Sequence, residues 1–155
     1  MNILLAHHLE PIWEQGLKRF GTNLESLCQS IAEYIENNNI HKIIITQFER
    51  DKYSQVHEAY YSLFELLDSY GIELEWKEYG YGWNRECFNS EDEGIHFCEG
   101  GNHSEVVLIE DWIRNLKNHT VLLCGAFVGE CLEDIQIAME ICNVPYKNLK
   151  ELQVG

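Results

Sequence analysis

Three groupings of histidine, cysteine and carboxylate residues in this chain could do chemistry. The first is His7-His8-Leu9-Glu10, followed by Pro11 and Trp13, a polar cluster directly after an apolar run. An imidazole beside a carboxylate has the makings of a general base. With Glu49, the same histidines and Glu10 could also hold a metal ion through nitrogen and oxygen. The second is Cys131, in Gly125-Ala126-Phe127-Val128-Gly129-Glu130-Cys131-Leu132. A thiol at the start of a helix is stabilised as thiolate by backbone N–H groups and the helix dipole, and those amides could hold an oxyanion. Gly125 and Gly129 let backbone approach a ligand closely. Glu130 and Glu133 work against the thiolate. The third grouping is Cys87, His96, Cys98 and His103, spaced C-x8-H-x-C-x4-H. Structural zinc sites favour a C-x2–4-C knuckle, so the match is poor, and neither metal nor other cofactor is assigned. Each grouping also has a plain reading. Cys131 could be a first-turn residue packed under a sheet, and the two histidines one solvated and one hydrogen-bonded in the core.

The elements that must position these residues are read from periodicity. Asn2–Ala6 is a short apolar strand. Asn23–Glu36 carries Leu24, Leu27, Cys28, Ile31 and Ile35 at helical spacing, with Thr22 or Asn23 as cap. Ile43-Ile44-Ile45 is a strand buried on both faces, as in a parallel sheet. Ser54–Tyr70 reads as one helix with Val56, Ala59, Tyr60, Leu63, Leu66 and Leu67 on one side, closed by Gly71. Ile72–Tyr79 alternates apolar and charged residues, as a strand near an edge would. Ser104–Lys117 reads as a helix, Thr120–Phe127 as the central strand, Gly129–Cys142 as a helix and Leu149–Val154 as a weak last strand. Alternation of this kind predicts an α/β fold: one domain over 1–155, a three-layer α/β/α sandwich with a mostly parallel sheet of about five strands.

Ligands of such sheets bind outside the carboxyl ends of the strands. Those ends carry His7, His8 and Glu10, then Glu49, then Tyr81, then Gly125, Phe127, Glu130 and Cys131. Trp13, Trp83, Tyr79 and Tyr81 could stack on a planar ligand, although such aromatics more often pack. The catalytic candidates are therefore Cys131, His7 and His8. The ligand-binding candidates are Glu10, Trp13, Glu49, Tyr81, Gly125, Phe127 and Glu130. If the first strand persists, side-chain alternation sends His7 and His8 to opposite faces. The irregular stretch from Gly80 to His103 is long for a plain connection and reads as a lid or binding segment.

The 155 residues include 11 Lys+Arg and 26 Asp+Glu, a formal charge of −15. That balance disfavours nucleic acid and anionic membrane as partners. No apolar run reaches the roughly 18 residues of a membrane span, and the start lacks a signal-peptide pattern. The six cysteines are then expected as thiols in a cytoplasmic protein. Between Arg85 and Arg114 there is no Lys or Arg but eight carboxylates. That stretch is a solvated face or a docking surface for a basic protein partner. A homodimer is a fair default for this fold class.

The 125–132 segment resembles the turn of isochorismatase-like cysteine hydrolases, which also place a glycine six residues before the nucleophilic cysteine. Gly101-Asn102-His103-Ser104-Glu105 and Trp112-Ile113-Arg114-Asn115-Leu116 are loosely similar to the stretch that family has ahead of this strand. The resemblance covers about the last third of the chain. It implies a hydrolase acting on a small molecule through Cys131. The family carries an Asp at the end of its first strand, where this chain has Ala6-His7-His8. It also carries a Lys before the last helix-strand unit, and here no Lys lies between Lys77 and Lys117. Either His7 or His8 then replaces the base in a Cys–His pair, or the domain binds without turnover. The alternatives are a hydrolase or transferase of acyl or glycosyl groups, a non-catalytic ligand-binding or regulatory domain, and an acidic interaction or inhibitor protein.

Overall fold

The computed structural model describes residues 1–47, 54–78, 95–97, 106–108 and 111–155. Five strands form an all-parallel sheet: β1 (Asn2–His7), β2 (Lys42–Gln47), β3 (Glu73–Glu78), β6 (Thr120–Ala126) and β7 (Tyr146–Val154), in the order β3-β2-β1-β6-β7. The helices are α1 (Glu14–Arg19), α2 (Leu24–Asn37), α3 (Tyr61–Tyr70), α4 (Asp111–Arg114) and α5 (Cys131–Ile141).

The sheet is apolar on both faces because its central strands are. Leu4 and Ala6, Ile43 and Ile45, Leu122 and Cys124 pack with Leu24, Leu27, Cys28 and Ile31 of α2 and with Leu63 and Leu67 of α3. Their neighbours in sequence, Ile3, Leu5, Ile44, Val121 and Leu123, pack with Leu132, Ile135, Ala138 and Met139 of α5 and with Ile113 and Leu116. Period-two alternation thus divides one sheet between two helical layers, the α/β/α sandwich that the pattern predicts. All five apolar positions expected on the second helix are buried, and the Asn23 side chain accepts from Ser26 N–H at 2.8 Å as its cap. Gly71 closes α3 at φ +64°. β3 is only half-buried, as an edge strand should be.

Two expected helices are corrected. Ser54–Tyr70 is not one helix: short 3-10 turns at Ser54–Val56 and Glu58–Tyr60 precede α3. His57 is extended (φ −63°, ψ 140°) and its ring Nδ1 accepts from Ala59 N–H at 3.1 Å. That side-chain bond offers the backbone an alternative to the helix. It leaves Val56 exposed rather than packed. Ser104–Lys117 is not one helix either. Val106–Leu108 is a strand, β5, paired antiparallel with β4 (Ile95–Phe97), and α4 is followed by a 3-10 turn at Asn115–Asn118. Val106 and Val107 are β-branched, which favours strand over helix. β4 falls within the expected loop at 80–103, most of which lies outside the described residues. No helix among the described residues is long and apolar enough to cross a membrane.

β1 pairs with β2 on one side and β6 on the other. The chain runs outward through β2 to β3 and returns to place β6 beside β1. The strand order therefore reverses between β1 and β6, the place where open α/β sheets form a crevice.

Candidate functional site

The carboxyl ends of β1 and β6 meet at His7 and Gly125, which are register partners. Gly125 has φ +108°, and a Cβ there would lie 2.1 Å from the His7 carbonyl oxygen. Only glycine permits this approach. Beyond it the Ala126–Phe127 peptide is cis, and the chain enters α5 at Cys131.

His7 continues the face of Ile3 and Leu5 and is fully buried. Its Nδ1 lies 2.7 Å from Thr46 Oγ1 at the end of β2. Burial holds its pKa well below the usual histidine value; the neighbouring His8 adds to this, and the Cys131 backbone pulls the other way. The ring is therefore neutral at pH 7.

His8 overturns the expectation of opposite faces. β1 ends at His7, and His8 turns left-handed at φ +54°. Alternation stops, and the two rings meet with centroids 4.0 Å apart. Histidine tolerates this backbone region better than most non-glycine residues. The turn is fixed by the His8 amide donating to Thr46 Oγ1 at 3.1 Å and by Tyr60 Oη donating to the Leu9 carbonyl at 2.5 Å. The pKa of His8 is also lowered by burial, against the opposing pull of Glu10. Neither histidine is solvated, which corrects the plain reading of one outward ring.

Glu10 is buried. Its Oε1 lies 3.2 Å from His8 Nδ1 and accepts from the Trp13 indole N–H at 3.0 Å. A carboxylate thus orients an imidazole, and the expected grouping of His8, Glu10 and Trp13 is assembled. Phe127 is buried with its ring edge-on to Trp13. The tip of its ring points at Gly16 of α1, where a Cβ would come within 2.6 Å of Cζ.

Cys131 is the first residue of α5 and is 5% exposed. Several amides at this turn are already committed: Glu130 N–H and Leu132 N–H donate to the Phe127 carbonyl, and Glu133 N–H donates to the Glu130 carbonyl. The expected oxyanion role for helix amides is reduced accordingly. Glu130 itself is exposed.

Glu49, Tyr79, Tyr81, Trp83, Cys87, Cys98 and His103 lie outside the described residues, and nothing is described of the His96 side chain in β4. The expected zinc grouping and the Glu49 part of the metal reading therefore lie outside them too. Among the described residues, no three His, Cys, Asp or Glu side chains are placed to hold a metal ion. His8 Nδ1 and Glu10 Oε1 face each other instead.

Thr46 and Asp134 belong to this end of the fold and were not singled out by sequence. Thr46 was legible in principle, because a residue just past an Ile-Ile-Ile strand must adjoin the end of β1 in a parallel sheet. Asp134 is buried one turn after Cys131, on the same side of α5. An acid between Leu132 and Ile135 was its signal. No family model, no curated protein and no solved structure matches this chain.

Proposed function

We propose that the protein is a small-molecule hydrolase or transferase of the cysteine-hydrolase kind, acting at the crevice between β1 and β6 with Cys131 as nucleophile and a histidine as base. One observation carries this reading. Two imidazoles held neutral by burial lie in ring contact at the strand-order reversal, one under the influence of the Cys131 backbone and the other 3.2 Å from a buried carboxylate. Neutral histidine is the form that accepts a proton, and a carboxylate on the far nitrogen is how such a base is oriented. The likeness of 125–132 to isochorismatase-like hydrolases supports the same residue as nucleophile. In the proposed reaction the Sγ proton passes to an imidazole and sulfur bonds to the substrate carbon. The leaving group then departs with that proton, and water or another acceptor releases the enzyme.

Native iodoacetamide labelling from pH 5 to 10, read peptide by peptide by mass spectrometry, tests this. Cys131 is expected to label first, with an apparent pKa below the roughly 8.5 of a free thiol. If Cys131 stays unlabelled until the protein unfolds, the crevice is a binding site without cysteine chemistry.

A further inference from the structure

The parallel sheet has two edge strands, β3 and β7, and they are built differently. β7 is the longer, but its pairing with β6 shifts between Leu123 and Gly125. A bulge of this kind bends an edge and unfits it for a further strand. β3 has no such break. Glu73–Glu78 pairs with Lys42–Gln47 in continuous register. Among the described residues no strand lies beyond it, so every second N–H and C=O of β3 points outward from the sheet.

The side chains of this edge divide by face. Leu74 and Trp76 lie on the side of α2 and α3, where Trp76 meets Tyr60 and Phe64 edge-on, and both are only half-buried. Glu73, Glu75 and Lys77 lie on the other side. There Lys42 pairs with Glu75 and stands 4.0 Å from Glu73, and Lys77 stands 3.6 Å from Glu75. These two carboxylates and two ammonium groups cancel. In a chain of net −15 they make a locally neutral strip, one that a second copy can approach without the general repulsion.

The order of residues along the strand selects that partner. A two-fold axis normal to the sheet joins two copies of β3 antiparallel and keeps each face on its own side. Residues then meet only others of the same parity. With the axis at Glu75, Glu73 meets Lys77 of the second copy, and Leu74 meets its Trp76, each contact occurring twice. Glu75 meets its own counterpart, and each of these carboxylates is held by the Lys42 of its copy. With the axis at Trp76, Leu74 would face Glu78. With the axis at Leu74, Glu73 would face Glu75. Pairing about Glu75 alone matches acid to base and apolar to apolar across residues 73–77. Facing pairs of these kinds are what stabilise neighbouring strands, and a self-complementary surface is what a two-fold interface requires.

We infer that the β3 edge is a homodimer interface, in which two copies pair antiparallel about Glu75 and join their sheets into one. The inference goes beyond the cysteine reading and does not depend on it.

Sedimentation velocity of the full chain, up to about 0.5 mM in about 0.15 M NaCl, reads the dimer with net repulsion screened beyond about 8 Å. An edge of this length belongs with interfaces below about 1,200 Å², so a weak, concentration-dependent dimer is expected. A chain that stays monomeric overturns the inference. Glu73→Lys alters an exposed side chain and sets a cation against Lys77 of the second copy on both sides of the axis. It is expected to raise the dissociation constant about tenfold through the two lost pairs; an unchanged constant overturns the interface. Oxidative cross-linking reads the register. Facing residues of an antiparallel pair have Cα atoms about 4.5–5.5 Å apart, within disulfide reach. Glu75→Cys lies on the axis and is expected to give a disulfide-linked dimer. Glu73→Cys is not, because its counterpart lies about 14 Å away along the strand. The wild type, with its native cysteines, is the blank. Linkage at 73 as readily as at 75, or at neither position, overturns the pairing. Hydrogen exchange of the wild type decides should a variant fail to fold. Amides of 73–78 are expected to exchange more slowly as concentration rises, and rates independent of concentration overturn the inference.

Discussion

A buried imidazole stays neutral only while its surroundings oppose the proton, and both His7 and His8 are in that position. Their folded pKa values are lowered from the ordinary 6.5, mainly by burial. Above pH 6.5 folded and unfolded chains both leave them neutral, so the fold bears no penalty. As pH falls below 6.5 the unfolded chain binds protons that the folded chain refuses, and stability declines. The expected loss between pH 7.5 and 5.5 is at most about 1.4 kcal/mol per histidine. Urea midpoints at pH 7.5 and 5.5 should show it, and His7→Phe should flatten the slope. An unchanged slope in that variant would mean that His7 already binds its proton in the folded state. The cysteines differ in the same physical way. Burial pushes Cys28 up to about 12 and raises Cys124 further. Both are expected to resist alkylation in the native protein at any pH below 9, while half-buried Cys142 labels slowly on the alkaline side.

The ends of β1 and β6 meet closely because one of them is a glycine. Gly125→Ala would place a methyl against the His7 carbonyl, backbone against backbone, at a left-handed φ. We expect it to cost at least about 3 kcal/mol and to separate the ends of β1 and β6. Gly129 also has positive φ (+74°) but open space around its Cβ. Gly129→Ala should cost only the left-handed backbone penalty, about 1–2 kcal/mol. Chemical denaturation of the two variants checks the contrast, and equal losses would show that crowding at His7 is not the cause. Helix and strand existence was legible wherever apolar spacing was long and regular, as in α2 and β6. It failed where a side chain intervened, as His57 does ahead of α3. It failed again at Ser104–Lys117, read as a helix although Val106 and Val107 are β-branched and form a strand. The bulge in β7 was also out of reach. The pairing of β6 with β7 shifts between Leu123 and Gly125, and there Gln153 Nε2 donates to the Leu123 carbonyl at 3.0 Å and to Asn148 Oδ1 at 2.9 Å.

Across the whole molecule the dominant fact is charge. A net −15 on 155 residues repels itself, and salt screens that repulsion over about 10 Å at 0.1 M. The melting temperature should rise by several degrees between 20 mM and 500 mM NaCl, since each kcal/mol is worth about 2–4 °C in a chain of this size. A flat or falling salt dependence would show that the acidic residues are locally compensated. The few described ion pairs point away from that: Lys42 with Glu73 and Glu75, Lys77 with Glu75, and Arg114 with Asp111.

The amino-acid order by itself determined the layer architecture, because apolar periodicity of two and of 3.6 residues admits few arrangements of alternating strands and helices. It also determined which residues stand at the strand ends: His7, His8, Glu10, Gly125, Phe127 and Cys131. Only the tertiary structure decided how they face. The left-handed turn at His8 is held by a hydroxyl 38 residues away and by a tyrosine 51 residues away from Leu9. No local pattern encodes that turn, and without it the two imidazoles would lie on opposite sides of the sheet.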